Sequence, residues 1–282
     1  MNITRQNNRL IKLLNADPFV QCPEIPEVQE VINKLKVCGI HRGAKLAAQR
    51  LQLLEELFRQ SVHDIIDLRE FEHCYIVGGV TDAINQWLAT DHRPWQYLVG
   101  DYEYATSISG RGKKVEHLDD TSVVYISNPA CSTGNIIDLP NITNPIILDC
   151  AYIGSTKKFH MPVPLSTEQV WFSFSKGWGL VGQRIGLVFS KQPHASLSKA
   201  KAVGMWNYTS VEIAIEILQN FSIDQTYNMM QPLQQQVCNM LDINASDCFF
   251  IANSNDQIFA SRKRHSSLTA RINLNSCLKS ML

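Results

Sequence analysis

The stretch "FSFSKGWGLVGQRIGLVFS", residues 172–190, closes one apolar run, carries a single lysine at Lys176, passes through glycines and enters a second apolar run at Arg184, eight residues after the lysine. Runs that are apolar throughout, rather than alternating, suit strands covered on both faces. The same kind of run recurs upstream as "CYIVGG" (74–79), "WQYLVG" (95–100), "SVVYIS" (122–127), "PIILDC" (145–150) and "VWFSFS" (170–175), about every 20–25 residues over most of this span. That spacing leaves room for a crossover helix between parallel neighbours. The expected fold is therefore α/β, a mainly parallel sheet sandwiched by helices.

Outside this core the pattern changes. "GAKLAAQRLQLLEELFRQ" (43–60) places Leu46, Leu51, Leu54 and Phe58 at helical spacing. From Tyr208 two helical segments, "YTSVEIAIEILQNF" and "YNMMQPLQQQVCNMLDI", precede two strand-like pieces, "DCFFIAN" and "LTARINL", which together predict a small α+β unit. The expected division is an N-terminal arm (1–42), a large domain (43–219) and a reduced C-terminal domain (220–282). The basic cluster "SRKRH" (261–265) is expected to be a solvated loop.

Composition narrows the function. With 282 residues, 45% of them hydrophobic, the chain can bury a substantial core. Its 26 basic and 26 acidic residues cancel, so no field steers nucleic acid or an anionic membrane toward it, and a small-molecule partner is expected. The eight cysteines form no CxxC pair, which suggests neither a zinc ribbon nor a disulfide framework and fits reduced thiols in the cytoplasm. The polar start "MNITRQNNRLIKLLNADPF" lacks the apolar region of a secretory signal, and no stretch reaches the roughly 18 apolar residues of a membrane span.

Ligands of open parallel sheets bind beyond the carboxyl ends of the strands, so the residues after each apolar run are the candidates. Gly78 and Gly79 lead into a helix, an arrangement that presents backbone N–H groups to a phosphate, although such a turn also uses glycine for conformation alone. Asp101, Tyr102 and Tyr104 follow the second run, and "NPACSTGN" (128–135) follows the third. Asp149 ends a buried run, with Tyr152 three residues on; a carboxylate there needs a partner, or it caps a helix. Lys176 either reaches out to solvent or, desolvated, offers a neutral amine able to form a Schiff base with a carbonyl compound.

Taken together, these residues resemble the aminotransferase class I/II family of fold-type-I pyridoxal-phosphate enzymes, from about Tyr75 to Arg271. The specific part is S-x-x-K at Ser173 and Lys176 with the arginine at Arg184. The resemblance implies that Lys176 carries the cofactor's Schiff base, and that Asp149 keeps the pyridine nitrogen protonated while Tyr152 hydrogen-bonds the phenolic oxygen. It also implies that Gly79, Val80, Thr81, Ser173 and Arg184 hold the phosphate and that Tyr102 stacks on the ring, with Tyr104 the fallback. Arg271 in "TARINL" would grip the substrate α-carboxylate. A lysine beside Cα can then move a proton as base and acid.

The sequence departs from the family at "NPACSTG", where an asparagine is usual and Cys131 stands, followed by Ser132 in place of proline. A thiol is a poor donor. Either Asn128 reaches in or the phenolic oxygen relies on Tyr152. The resemblance implies an aminotransferase acting on amino acids and 2-oxo acids with pyridoxal 5'-phosphate, and a homodimer. A decarboxylase, lyase or cyclase of the same fold, or a non-catalytic homologue, are the alternatives.

Overall fold

The computed structural model describes residues 3–16, 20–35, 44–263 and 269–282. Helices α1 (Ile3–Ala16), α2 (Pro26–Lys34) and α3 (Ala44–Val62) come first. Next come β1 (His73–Val77), α4 (Val80–Thr90), β2 (Trp95–Leu98), α5 (Tyr104–Ser109), β3 (Gly112–Val115), β4 (Val123–Ser127) and β5 (Ile146–Asp149). β6 (Thr167–Ser173), the single turn α6 (Phe174–Gly177), β7 (Gly186–Ser190), α7 (Ala195–Val203) and α8 (Tyr208–Asn220) complete this part.

These seven strands form one sheet in the order β1-β7-β6-β5-β4-β2-β3. β3, β2, β4, β5 and β6 run parallel. β7 is antiparallel to both its neighbours, so β1 points the same way as β6. The α/β expectation holds, and its consequence for function is geometric. The carboxyl ends of β1, β2, β4, β5 and β6 open on one edge of the sheet, and β7 starts there.

Strand side chains alternate between faces, and successive apolar residues feed two cores. Cys74, Ile76, Val124, Ile126, Leu148, Phe172 and Phe189 pack with Phe58 of α3 and with Val211 and Ala214 of α8. Tyr75, Tyr125, Ile147, Trp171 and Val188 pack on the other face with Trp87 of α4 and Leu197 of α7. The Trp87 ring meets those of Trp95 and Trp171 edge-on at 5.4 and 5.8 Å with interplanar angles of 65° and 63°, contacts that each add about 0.5–1.5 kcal/mol to the area they bury.

Two strands were not legible in the sequence. β3 reads "GKKV", half-exposed with no apolar run, as suits an edge strand protected by lysines. Its Gly112 is obligatory, because a Cβ there would lie 2.2 Å from the Trp95 ring. The second is the first strand of a smaller sheet. After α9 (Gln225–Leu241), the two-residue β8 (Asn244–Ala245) joins β9 (Ile251–Ser254) and β10 (Ala270–Asn273) in an antiparallel sheet, followed by α10 (Asn275–Lys279).

The basic cluster differs from expectation. Ser261 and Arg262 end a 3-10 turn, and the Arg262 guanidinium donates to the Leu14 carbonyl and, at 3.2 Å, to Asn15 Oδ1. It therefore satisfies the Leu14 carbonyl and the Asn15 side-chain amide near the end of α1 rather than lying in a solvated loop. Arg264 and His265 lie outside the described residues. Among the described residues seven cysteines are free thiols, all buried. No described helix is long and apolar enough to cross a membrane.

Candidate functional site

The strand ends converge on a cavity of about 240 Å³. The turn after β1 places Gly79, at φ 86°, as the N-cap of α4; Gly79 itself does not line the cavity, but Val80 and Thr81, which follow it, do. Asp82 Oδ2 accepts from Gly78 N at 2.8 Å, and Gly79 O accepts from the amides of Asp82 and Ala83. Exposed Arg184, itself left-handed at φ 47°, donates to the Gly78 carbonyl at 2.6 Å. A Cβ on Gly79 would lie 3.0 Å from Arg184 Nη2. Gly79→Ala is therefore expected to cost about 1–3 kcal/mol through its backbone alone, read as a lower urea midpoint, and to push Arg184 off the rim.

Val80, Thr81, Tyr102, Cys131, Asp149, Tyr152, Ser173, Lys176, Arg184 and Arg271, all expected at the site, line the cavity. Tyr104 does not. Its ring stacks on Tyr102 at 6.0 Å and its hydroxyl donates to Asn85, so Tyr102 is the aromatic wall. Burial raises the Tyr102 phenol, with the Thr81 hydroxyl pulling the other way.

Asn128 is a correction to the sequence-based expectation. Its amide donates to the Ile137 carbonyl at 2.9 Å and its Oδ1 accepts from Ile137 N at 3.1 Å, so its hydrogen bonds are spent on the following loop and it is not a wall of the cavity. Cys131 occupies the wall instead, 4.0 Å from the Tyr152 hydroxyl.

Asp149 is 4% exposed at the cavity floor. The Tyr125 hydroxyl donates to its Oδ2 at 2.5 Å and Ala151 N to its Oδ1 at 2.8 Å. No helix follows, so it is not a helix cap. Burial pushes its carboxyl up to about 7; Tyr125, Ala151 N and Lys176 oppose this, and the Asp101 charge adds to it. Asp101 lies behind the lining and ties two of its residues together, accepting from Ser127 N at 3.0 Å, Tyr102 N at 2.7 Å and the Ser127 hydroxyl.

Ser173 ends β6 and accepts from Ser175 N at 3.2 Å, which turns the chain so that Lys176 enters the cavity rather than reaching to solvent. Its amine donates to the Val20 carbonyl, and burial lowers its pKa, an effect the Arg271 charge reinforces. Arg271, on β10, donates to the Cys131 carbonyl, to Cys131 Sγ at 3.3 Å and to the Tyr152 hydroxyl at 3.4 Å. Burial raises the Tyr152 phenol.

Val20, Ser127 and Ser175 also line the cavity and were missed. Ser127 ends β4 and Ser175 lies two residues past the end of β6, where inspection would have found them. Val20 sits in a segment without pattern. The Ser175 hydroxyl is buried without a hydrogen-bond partner among the described residues.

No family model matches the chain. It is 30% identical over 153 residues to a histidinol-phosphate aminotransferase of Cytophaga hutchinsonii, a match taking in 46% of this chain and 43% of that enzyme. Among solved structures it is similar to the histidinol-phosphate aminotransferase of Sinorhizobium meliloti in complex with pyridoxal-5'-phosphate, with TM-score 0.68 and 16% identity over 93% of this chain and 90% of that one. It is also similar to the PLP-bound C-S lyase of Staphylococcus hominis, with TM-score 0.67 and 10% identity over 93% and 87%.

Proposed function

We propose that this chain, which has the fold of the class I/II aminotransferases, is a pyridoxal-phosphate-dependent enzyme and, within that class, an aminotransferase. The observation that carries it is one cavity holding a desolvated lysine amine, a buried aspartate and, at its rim, an arginine beside a helix N-terminus. This donor set fits the cofactor. A phosphorylated, aromatic, basic aldehyde needs an anion cradle, a carboxylate for its ring nitrogen, a flat wall and an amine. The buried Ser175 hydroxyl, without a hydrogen-bond partner among the described residues, is a further polar group for such a ligand to satisfy.

When bound, pyridoxal phosphate supplies an aldehyde for amines and a ring that takes up the electron pair released at the substrate Cα. The residues do the rest. Lys176 presents a neutral amine to the aldehyde and then carries a proton at Cα as base and acid. Asp149 holds the proton on the ring nitrogen. Arg184, Ser173, Thr81 and the first amides of α4 hold the phosphate, the guanidinium as a charged fork and the amides with the helix dipole behind them. Tyr152 donates to the phenolic oxygen without the amide that Cys131 lacks, and Tyr102 stacks on the ring.

Arg271 would take the substrate carboxylate, reaching from the proposed small unit (220–282) into the large one (43–219). Arg271→Ala is expected to raise KM for α-amino acids roughly 10- to 100-fold, the loss of a charge-assisted pair worth about 1.5–3 kcal/mol, with a smaller change in kcat. The Cytophaga hutchinsonii relative favours transamination, while the C-S lyase has the same fold. The deciding experiment loads the protein with pyridoxal phosphate, adds amino acids singly, and asks whether an amino group is left on the cofactor and removed again by a 2-oxo acid. A transaminase does both; a lyase or decarboxylase releases its product and leaves the aldehyde. A homodimer, checked by sedimentation, and a cytoplasmic setting are part of the same proposal.

A further inference from the structure

We propose that Tyr125 is a positioning residue for Asp149: caged among tryptophans, its hydroxyl keeps the carboxylate a weak enough base that a proton shared with a bound pyridine ring stays on the ring. This rests on the cofactor assignment above.

The geometry is specific. Tyr125 lies in the middle of β4, fully buried. Its ring stacks on Trp87 at 6.5 Å and 19°, and meets Trp95 at 6.5 Å and Trp171 at 6.0 Å. The hydroxyl has little freedom. In the β4/β5 register Tyr125 faces Ile147 and Ser127 faces Asp149, so Tyr125 stands one pair back on the same face. The length of the phenol ring bridges that step and delivers its O–H to Asp149 Oδ2 at 2.5 Å. With Ala151 N on Oδ1, each carboxylate oxygen has one donor. A phenylalanine would fill the aromatic cage as well; only the bond to Asp149 calls for the hydroxyl.

The groups facing Asp149 come from every element around it. Asp101 after β2 raises its proton affinity, and Lys176 after β6 lowers it. Tyr102 and Cys150 lie close enough to be raised by its charge. Among the described residues Tyr125 is the one side chain that donates to it, and burial holds that phenol protonated. A carboxylate and a pyridine nitrogen sharing one proton place it by the difference in their basicities. Each donor to the charged carboxylate lowers its proton affinity by on the order of tenfold. Without the tyrosine bond the proton moves toward Asp149, and the neutral ring draws electrons less strongly while the ring keeps its hydrogen bond.

The test uses pyridoxal phosphate labelled with ¹⁵N in the ring, bound to the protein, and the ¹⁵N chemical shift. The wild type is expected at the pyridinium position, Asp149→Asn at the neutral-pyridine position, and Tyr125→Phe displaced toward the latter, with kcat reduced and KM little changed. Replacing Tyr125 by 3-fluorotyrosine, a stronger donor of similar shape, is expected to leave the pyridinium signal in place and gives a second variant if phenylalanine disturbs folding. A Tyr125→Phe signal that coincides with the wild type overturns the proposal, as does a fluorotyrosine signal displaced toward neutral pyridine. A folded wild type that binds no labelled ring overturns the cofactor assignment and the proposal with it. A wild type that binds the ring in its neutral form overturns the proposal alone.

Discussion

Lys176→Ala is expected to lower turnover by at least about 10⁴-fold while the protein stays folded and still takes up pyridoxal phosphate without a covalent link. On the proposed reading the amine has two tasks at one place, nucleophile toward the aldehyde and proton carrier at Cα, and alanine removes both. The surroundings suit them. Burial and the charge of Arg271 lower the Lys176 pKa, which increases the neutral, nucleophilic fraction near pH 7. The carbonyl of Val20 holds the amine inside the cavity. Stability should change little, because the lysine contributes one hydrogen bond and its charged form is costly to enclose, so the melting temperature is expected to stay or rise. The measurement is borohydride reduction of the loaded protein followed by peptide mapping. A reduced adduct on residue 176 in the wild type and none in the variant fits the assignment; an adduct on another lysine removes Lys176 from it.

Legibility followed burial. Six strands of the large sheet were readable because both of their faces are covered, which leaves an unbroken apolar run such as "PIIL". β3 was not, since an edge strand with two lysines carries no such run, and β8 is too short to show a pattern. At the site, Asp149, Lys176, Tyr102 and Thr81 were readable from their place just after a strand, the one edge to which parallel strands bring residues distant in sequence. The pair Tyr125 and Asp149 was hidden because Tyr125 sits inside the apolar run, where an aromatic looks like core; only the β4/β5 register reveals where its hydroxyl goes. Asn128 misled for a related reason. It follows the last residue of β4, yet its amide turns to Ile137, a choice made by the loop and not by position.

Asp149→Asn is expected to act in opposite directions on activity and stability. Turnover should fall roughly 10³-fold, because an amide would not hold a proton on the ring nitrogen, and a neutral ring would take up electrons less readily than a protonated one. The cofactor-free protein should become more stable at neutral pH. The Asp149 carboxyl is raised from its ordinary 3.8 to about 7 by burial, so ionising it costs on the order of 4 kcal/mol more in the fold than in the unfolded chain. The sign follows from proton counts. Between about pH 4 and pH 7 the native protein keeps a proton that the unfolded chain has released, so this contribution to stability falls as pH rises through the window and is level above it. Asparagine has no such term. Urea titrations of the two cofactor-free proteins should therefore nearly coincide near pH 4 and diverge toward pH 8, with the variant the more stable by up to that amount. Loading with pyridoxal phosphate should reverse the order, since the ring cation would add an opposite charge to the two hydrogen bonds the wild-type carboxylate already accepts and would give the amide nothing comparable. Parallel stability curves across this pH range would show that Asp149 is not held near neutrality by the fold, and would remove the reason for regarding it as a carboxylate kept in readiness for a basic ring.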